Sequence, residues 1–270
     1  MASNLQTRIV TAIILGGALF AVVLLLPPRA IVFVLAAAVL MGAWEWSAFL
    51  RTNSVVWRVL YVALVAALLP VSWRFTSLPL DRDLFFATVV AWWFVALCWI
   101  LLAPRRASRW SASLAGVLAL VPAWVALARM RMDLPRGAEW ILFAFVLVWM
   151  ADIGGYFFGR RLGRTKLAPN VSPGKTWEGV IGGLALSAAV AIAGSLWFGL
   201  GLGRFLALCL AVVAFSVVGD LTESLLKRYA GVKDSGTIFP GHGGIMDRID
   251  SVTAAAPVLY FGLTTLGVLA

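Results

Sequence analysis

Nine apolar runs, each close to the length that crosses a bilayer as a helix, dominate this chain. They occupy residues 9–26, 31–50, 55–71, 84–103, 111–127, 140–158, 179–200, 205–226 and 252–269. A helix rises 1.5 Å per residue, so about 20 residues cross the hydrocarbon layer. Composition agrees, with 62% hydrophobic residues, 13% charged and a mean hydropathy of +0.97. A soluble domain carries about 45–50% apolar and about 25% charged residues. The fold class is therefore all-α, a polytopic transmembrane helix bundle of about nine spans. The first run follows Arg8 like a signal peptide, but Leu24-Leu25-Leu26-Pro27-Pro28 offers no small-residue cleavage site. It reads as an uncleaved first helix. Cys98 and Cys209 both fall inside apolar runs and read as small buried hydrophobes.

The cations give the topology. The N-terminus and the loops after spans two, four, six and eight hold fifteen Lys and Arg; the opposite loops hold seven. The positive-inside bias then puts the N-terminus in the cytoplasm. The net charge of +10 is thereby assigned to topology and anionic lipid, and a nucleic-acid partner is not expected. Residues 1–138 supply about five membrane helices, and residues 139–270 carry two charge-rich loops on the cytoplasmic face.

Acids lie below those loops. Asp152 stands eight residues before Arg160, and Asp220 seven before Lys227. Both are therefore roughly 10–12 Å inside the cytoplasmic ends of their helices. A carboxylate at that depth needs a metal, a basic partner or a water-filled cavity. Asp220, Glu223, Ser224 and Lys227 recur at i, i+3, i+4 and i+7 and share one helical face. A snorkelling helix end with internal salt bridges would give the same spacing.

Asp247 and Asp250, in Asp247-Arg248-Ile249-Asp250, can face one site if the last helix begins there. With Asp220 and Asp152 they form an oxygen donor set suited to Mg²⁺. Asp250 is equally placed to cap the ninth helix, so Asp247 is the preferred ligand. In residues 172–179, Gly174-Lys175-Thr176 ends like a P-loop, but position 169 is proline where that motif needs glycine. Lys175 is left as a phosphate contact on a turn near a helix start. His242 is the only histidine, and its flanking glycines suit a tight turn. Glu45 sits inside the second span without an obvious partner.

Together these residues resemble the phosphatidate cytidylyltransferases. The family signature is matched by Ser224, Lys227, Arg228, Lys233, Asp234, Gly236, Pro240, His242, Gly243, Gly244, Asp247, Arg248 and Asp250. The likeness extends to residues 152–156 and 172–179, while the first five spans match only as apolar helices. The resemblance implies transfer of CMP from CTP to phosphatidate at the cytoplasmic face of the inner (plasma) membrane. It implies Mg²⁺ at the centre, with a second cation, K⁺, and a homodimer. Asp220, Asp247, Lys227 and Arg248 would be catalytic. Lys175, Ser172, Arg228, Lys233, Asp234, His242, Gly243 and Gly244 would bind substrate, and Asp152 and Asp250 would join Asp220 and Asp247 on the metal.

Two rivals stand beside that reading. A CTP-dependent polyprenol kinase or isoprenoid-lipid cytidylyltransferase shares the chemistry, but the full match over residues 224–250 argues against both. A secondary transporter would place charges at the interface of repeated halves. Here the acids crowd the C-terminal half, and no repeat is visible.

Overall fold

A computed structural model describes residues 2–52, 54–238 and 243–265, with side chains from residue 13 onward. The elements run α1 (Ala2–Leu25), α2 (Pro28–Trp46), a 3₁₀ turn (Ser47–Leu50), α3 (Val55–Phe75), α4 (Pro79–Leu102), α5 (Arg109–Asp133), α6 (Gly137–Leu162), β1 (Lys166–Ala168), β2 (Ser172–Thr176), α7 (Trp177–Phe198), α8 (Leu202–Ala230) and α9 (Met246–Thr265). Among the described residues each helix overlies one of the nine apolar runs. Seven are long and apolar enough to cross a membrane, and α1 adds the shorter apolar stretch Ile13–Leu25. The last residues of the 252–269 run lie outside the described residues.

Local chemistry sets the helix ends. Pro28 and Pro79 open α2 and α4, where a missing N–H costs nothing. Ser108 and Ser111 form a reciprocal capping box at the start of α5. Gly199 and Gly231 end α7 and α8 in the left-handed conformation. Most helices outrun their apolar cores because charged end turns stay helical, as at Arg129–Asp133 of α5.

Helix α5 runs through the middle of the bundle, buried almost all round from Ala119 to Met130. A full apolar circumference is what a central helix needs. Helices α6 and α7 pack most closely. A Cβ on Gly154 would lie 2.8 Å from the Gly183 Cα, so only glycine allows this backbone approach. The pair is clamped at its far end by Trp140 stacked on Phe198, with ring centroids 3.7 Å apart.

Contacts among the loops separate two ends. At one, Arg51 stacks on Tyr229, bringing the segment after α2 beside the end of α8. At the other, Arg129 pairs with Asp133 at 3.3 Å and donates to the Trp73 carbonyl at 2.6 Å. The Tyr260 hydroxyl donates to the same Asp133 at 3.2 Å. The acids of α6, α8 and α9 lie toward the first end.

Candidate active site

Four elements bring the sequence-marked residues to that end. Asp152 comes from α6, Lys175 from β2, Asp220, Glu223, Ser224, Lys227 and Arg228 from α8, and Asp247, Arg248 and Asp250 from α9. Lys175 was expected on a turn; it lies instead in the second strand of an antiparallel hairpin. Thr165 N–H donates to both oxygens of Glu178 at 3.1 and 3.2 Å and closes the hairpin base. Arg228 Nε donates to the Val171 carbonyl at 3.4 Å, tying the hairpin to α8. Ser172 opens β2.

The hairpin delivers its lysine to the acid of another helix. Lys175 Nζ stands 2.5 Å from Asp220 Oδ2, and Ser224 Oγ donates to Asp220 Oδ1 at 3.2 Å. The two charge-rich loops thus meet in one site. One turn further along α8, Lys227 pairs with the buried Glu223 and reaches Asp247 Oδ1 at 2.8 Å. The shared face read from the i, i+3, i+4, i+7 spacing is real, and it points inward at other helices rather than snorkelling outward.

Asp247 is held from both sides. Its Oδ2 accepts from Ser235 N–H at 3.0 Å, from the Ser235 hydroxyl at 2.9 Å and from Gly244 N–H at 2.8 Å. Four donors on two oxygens fill most of a carboxylate's accepting capacity. Asp247 thereby organises the turn before α9. Asp250 is not a helix cap: it lies inside α9, and its Oδ1 accepts from the next residue's N–H at 2.7 Å. Lys233, Asp234 and Arg248 are exposed and have no charged partner among the described residues. Gly243 adopts φ +78°, which an L side chain resists. His242 and Pro240 lie outside the described residues.

Two cavities open at this end, and both are lined by Asp152. The first, about 560 Å³, runs between α6, β2, α7 and α8 past Tyr156, Arg160, Lys175 and Asp220. The second, about 570 Å³, is walled by apolar side chains of α1, α2, α5 and α6, including Leu19, Leu35, Leu127 and Trp149. Its polar end is formed by Asp247, Arg248 and Asp250. Each has the size of a small-molecule site.

Among the described residues no group of three or more His, Cys, Asp or Glu is already gathered at metal-ligand spacing. The donor chemistry nonetheless fits a hard divalent cation. Asp152 lines both cavities, with Asp220 beside it in the first and Asp250 in the second, and Asp152 has no hydrogen-bond or ion-pair partner among the described residues. Oxygen-only acids beside cationic groups are the set that holds Mg²⁺ together with phosphate.

Sequence reasoning missed the partner of Glu45. Its carboxylate reaches across from α2 to the turn before α9, some 200 residues away in sequence. The only sequence signal was an acid placed inside an apolar span.

The fold and its site define a polytopic helical membrane protein with a charged, two-cavity centre at one end of the bundle. The profile of the cytidylyltransferase family matches residues 6–266, and the chain belongs to that family. A phosphatidate cytidylyltransferase of Pseudomonas aeruginosa is 42% identical over 261 residues, covering 94% of this chain and 95% of its own. The enzyme of that name from Haemophilus influenzae is 38% identical over 278 residues, covering 94% and 96%. Its namesake from Brucella suis is 39% identical over 269 residues, covering 96% and 93%.

Proposed function

We propose that this chain transfers CMP from CTP to phosphatidate, giving CDP-diacylglycerol and pyrophosphate. The observation that carries the reading is the meeting of two unlike cavities at Asp152. The first is lined by Arg160, Lys175 and Asp220 and suits a polyphosphate. The second is apolar along its length and ends at Arg248, which suits acyl chains topped by a phosphate. Family membership and the full-length relatives support the same substrates.

The lipid phosphate oxygen attacks the α-phosphorus of CTP, and the bond from that phosphorus to the bridging oxygen breaks to release pyrophosphate. A phosphate monoester has a second pKa near 6, so the nucleophile is already ionised at neutral pH and no general base is needed. Lys175 and Arg160 would hold the nucleotide phosphates, and Arg248 the lipid phosphate. Lys227, fixed between Glu223 and Asp247, adds a positive charge about two helical turns from Asp220. Lys233 and Asp234 are exposed and, with the substrate-binding role that the resemblance gives them, would meet substrate from the loop after α8. Mg²⁺, with K⁺ as second cation, would be held by Asp152, Asp220 and Asp250, with Asp247 behind them. Bound there, it would neutralise the phosphates and polarise the α-phosphorus.

The excess of cations in the even-numbered loops supports an N-terminus in the cytoplasm and an active site on the cytoplasmic face of the inner membrane. Residues 139–270 are the catalytic half, and residues 1–138 add membrane helices and part of the lipid cavity. A homodimer rests on the family resemblance alone. Incubating the purified protein with phosphatidate, Mg²⁺ and either α- or γ-labelled CTP tests the reaction. Label should enter lipid from the α position only; γ label in lipid would make the protein a kinase. Uptake of substrate into proteoliposomes without any CDP-lipid would favour a transporter.

A further inference from the structure

Glu45 is 4% exposed near the end of α2, in the half of the chain that the family signature does not reach. An acid buried this well must be repaid by specific donors. Three converge on it. Ile245 N–H donates to Oε1 at 3.0 Å, Met246 N–H to Oε2 at 2.8 Å, and the Ser235 hydroxyl to Oε2 at 3.0 Å. Met246 opens α9, so Glu45 caps this helix from another segment and sets a negative charge at its positive end.

The surrounding structure holds Glu45 in place. Beside it, the Trp46 indole N–H donates to the Ala112 carbonyl at 2.8 Å and fixes the end of α2 against α5. On the other flank, Arg58 donates to the Trp44 carbonyl at 3.0 Å. The turn facing Glu45 is cut to its shape. A Cβ on Gly236 would fall 2.8 Å from the Glu45 Cδ, and one on Gly244 would collide with the carboxylate itself.

The Ser235 hydroxyl stands between two acids, 3.0 Å from Glu45 Oε2 and 2.9 Å from Asp247 Oδ2. Its single proton is shared between the two carboxylate oxygens in a three-centre bond. A continuous polar chain therefore runs from Glu45 through Ser235 to Asp247, then to Lys227 and Glu223. We propose that Glu45 is a positioning residue for the transfer reaction: it never meets substrate, and it fixes the turn that aims Asp247 and Lys227 into the site. The inference rests on the activity proposed above, and its test separates the two.

Glu45→Gln keeps the shape but has one accepting oxygen where two are used, so either amide orientation sets a donor against a donor. Full-length wild type and variant, purified in detergent, are compared by amide hydrogen exchange and by steady-state kinetics. Exchange of peptides spanning residues 243–250 should quicken about tenfold or more in Glu45→Gln, while the α5 core stays unchanged. kcat should fall about ten- to a hundredfold, the worth of a lost charge-assisted contact, with KM for CTP and for phosphatidate each within about threefold. Unchanged exchange overturns the capping role. Quickened exchange with kcat within about twofold of wild type overturns the link to chemistry. If Glu45→Gln does not fold, Ser235→Ala decides, since it cuts only the hydroxyl that joins the two acids. It should lower kcat with wild-type exchange at Ile245 and Met246, and wild-type kcat would refute the chain. A wild-type protein that makes no CDP-lipid defeats the proposed activity, and the exchange measurement then judges Glu45 alone.

Discussion

Lys175→Met offers the sharpest test of how the two cavities divide the substrates. In the structure Lys175 pairs with Asp220, and their side chains are 27% and 25% exposed. So accessible a pair is screened by solvent and contributes about 1 kcal/mol or less to stability. The variant should therefore fold, insert and melt close to wild type. Binding is another matter, because the same ammonium would face a triphosphate. A lost charge-assisted contact is worth about 1.5–3 kcal/mol, or roughly ten- to a hundredfold in affinity. Methionine keeps an unbranched side chain, one atom shorter, and hence most of the packing of β2. Initial rates in mixed micelles, varying CTP at fixed phosphatidate and then the reverse, give both constants. KM for CTP should rise about ten- to a hundredfold, and KM for phosphatidate should move by less than about threefold. Equal rises for both substrates would reduce Lys175 to a structural role. A rise for phosphatidate alone would exchange the contents of the cavities.

Asp220→Asn and Asp247→Asn should each abolish turnover, lowering kcat and kcat/KM together; near-normal rates at saturating Mg²⁺ would sink the metal assignment in the first and the positioning of Lys227 and the turn in the second. The two should differ in thermal unfolding: Asp247→Asn melts earlier, because its amide cannot accept from Lys227, Ser235 and Gly244 at once, whereas Asp220→Asn melts near wild type. Single cysteines beside Lys175 and Lys233 should react with an impermeant thiol reagent only in inverted vesicles, and labelling from opposite faces would break the shared site. Gly244→Ala should lower both stability and kcat, because its Cβ meets the Glu45 carboxylate. Full activity in that variant would mean that the turn does not need this fit.

The helices were legible because a bilayer demands length and apolarity, and both are written directly in the residues. Their ends were less so: apolarity stops at Leu127, while α5 continues to Asp133 through residues that hydrogen-bond at the far face. The hairpin carrying Lys175 escaped notice because its strands are three and five residues long. Pro169 and Asn170 between them were the available turn signal. The spacing of Asp247 and Asp250 correctly placed both at the start of the last helix. It could not say which oxygens were already taken, since those donors come from Ser235, Gly244 and Lys227. Glu45 was visible only as an anomaly, because its partners are set by packing between distant segments.

The ion pair between Lys175 and Asp220 cancels two opposite charges of the resting centre, and that pairing changes how ligands are admitted. A triphosphate arriving alone would draw off the lysine and leave the carboxylate without a counter-ion. A divalent cation arriving alone would claim the carboxylate and leave the lysine without a counter-ion. Arriving together, they swap partners with the protein, and no charge is left unmatched. Each then tightens the hold on the other by the same factor, as linkage requires. A single pair of side chains would thus discriminate against bare nucleotide and against bare metal.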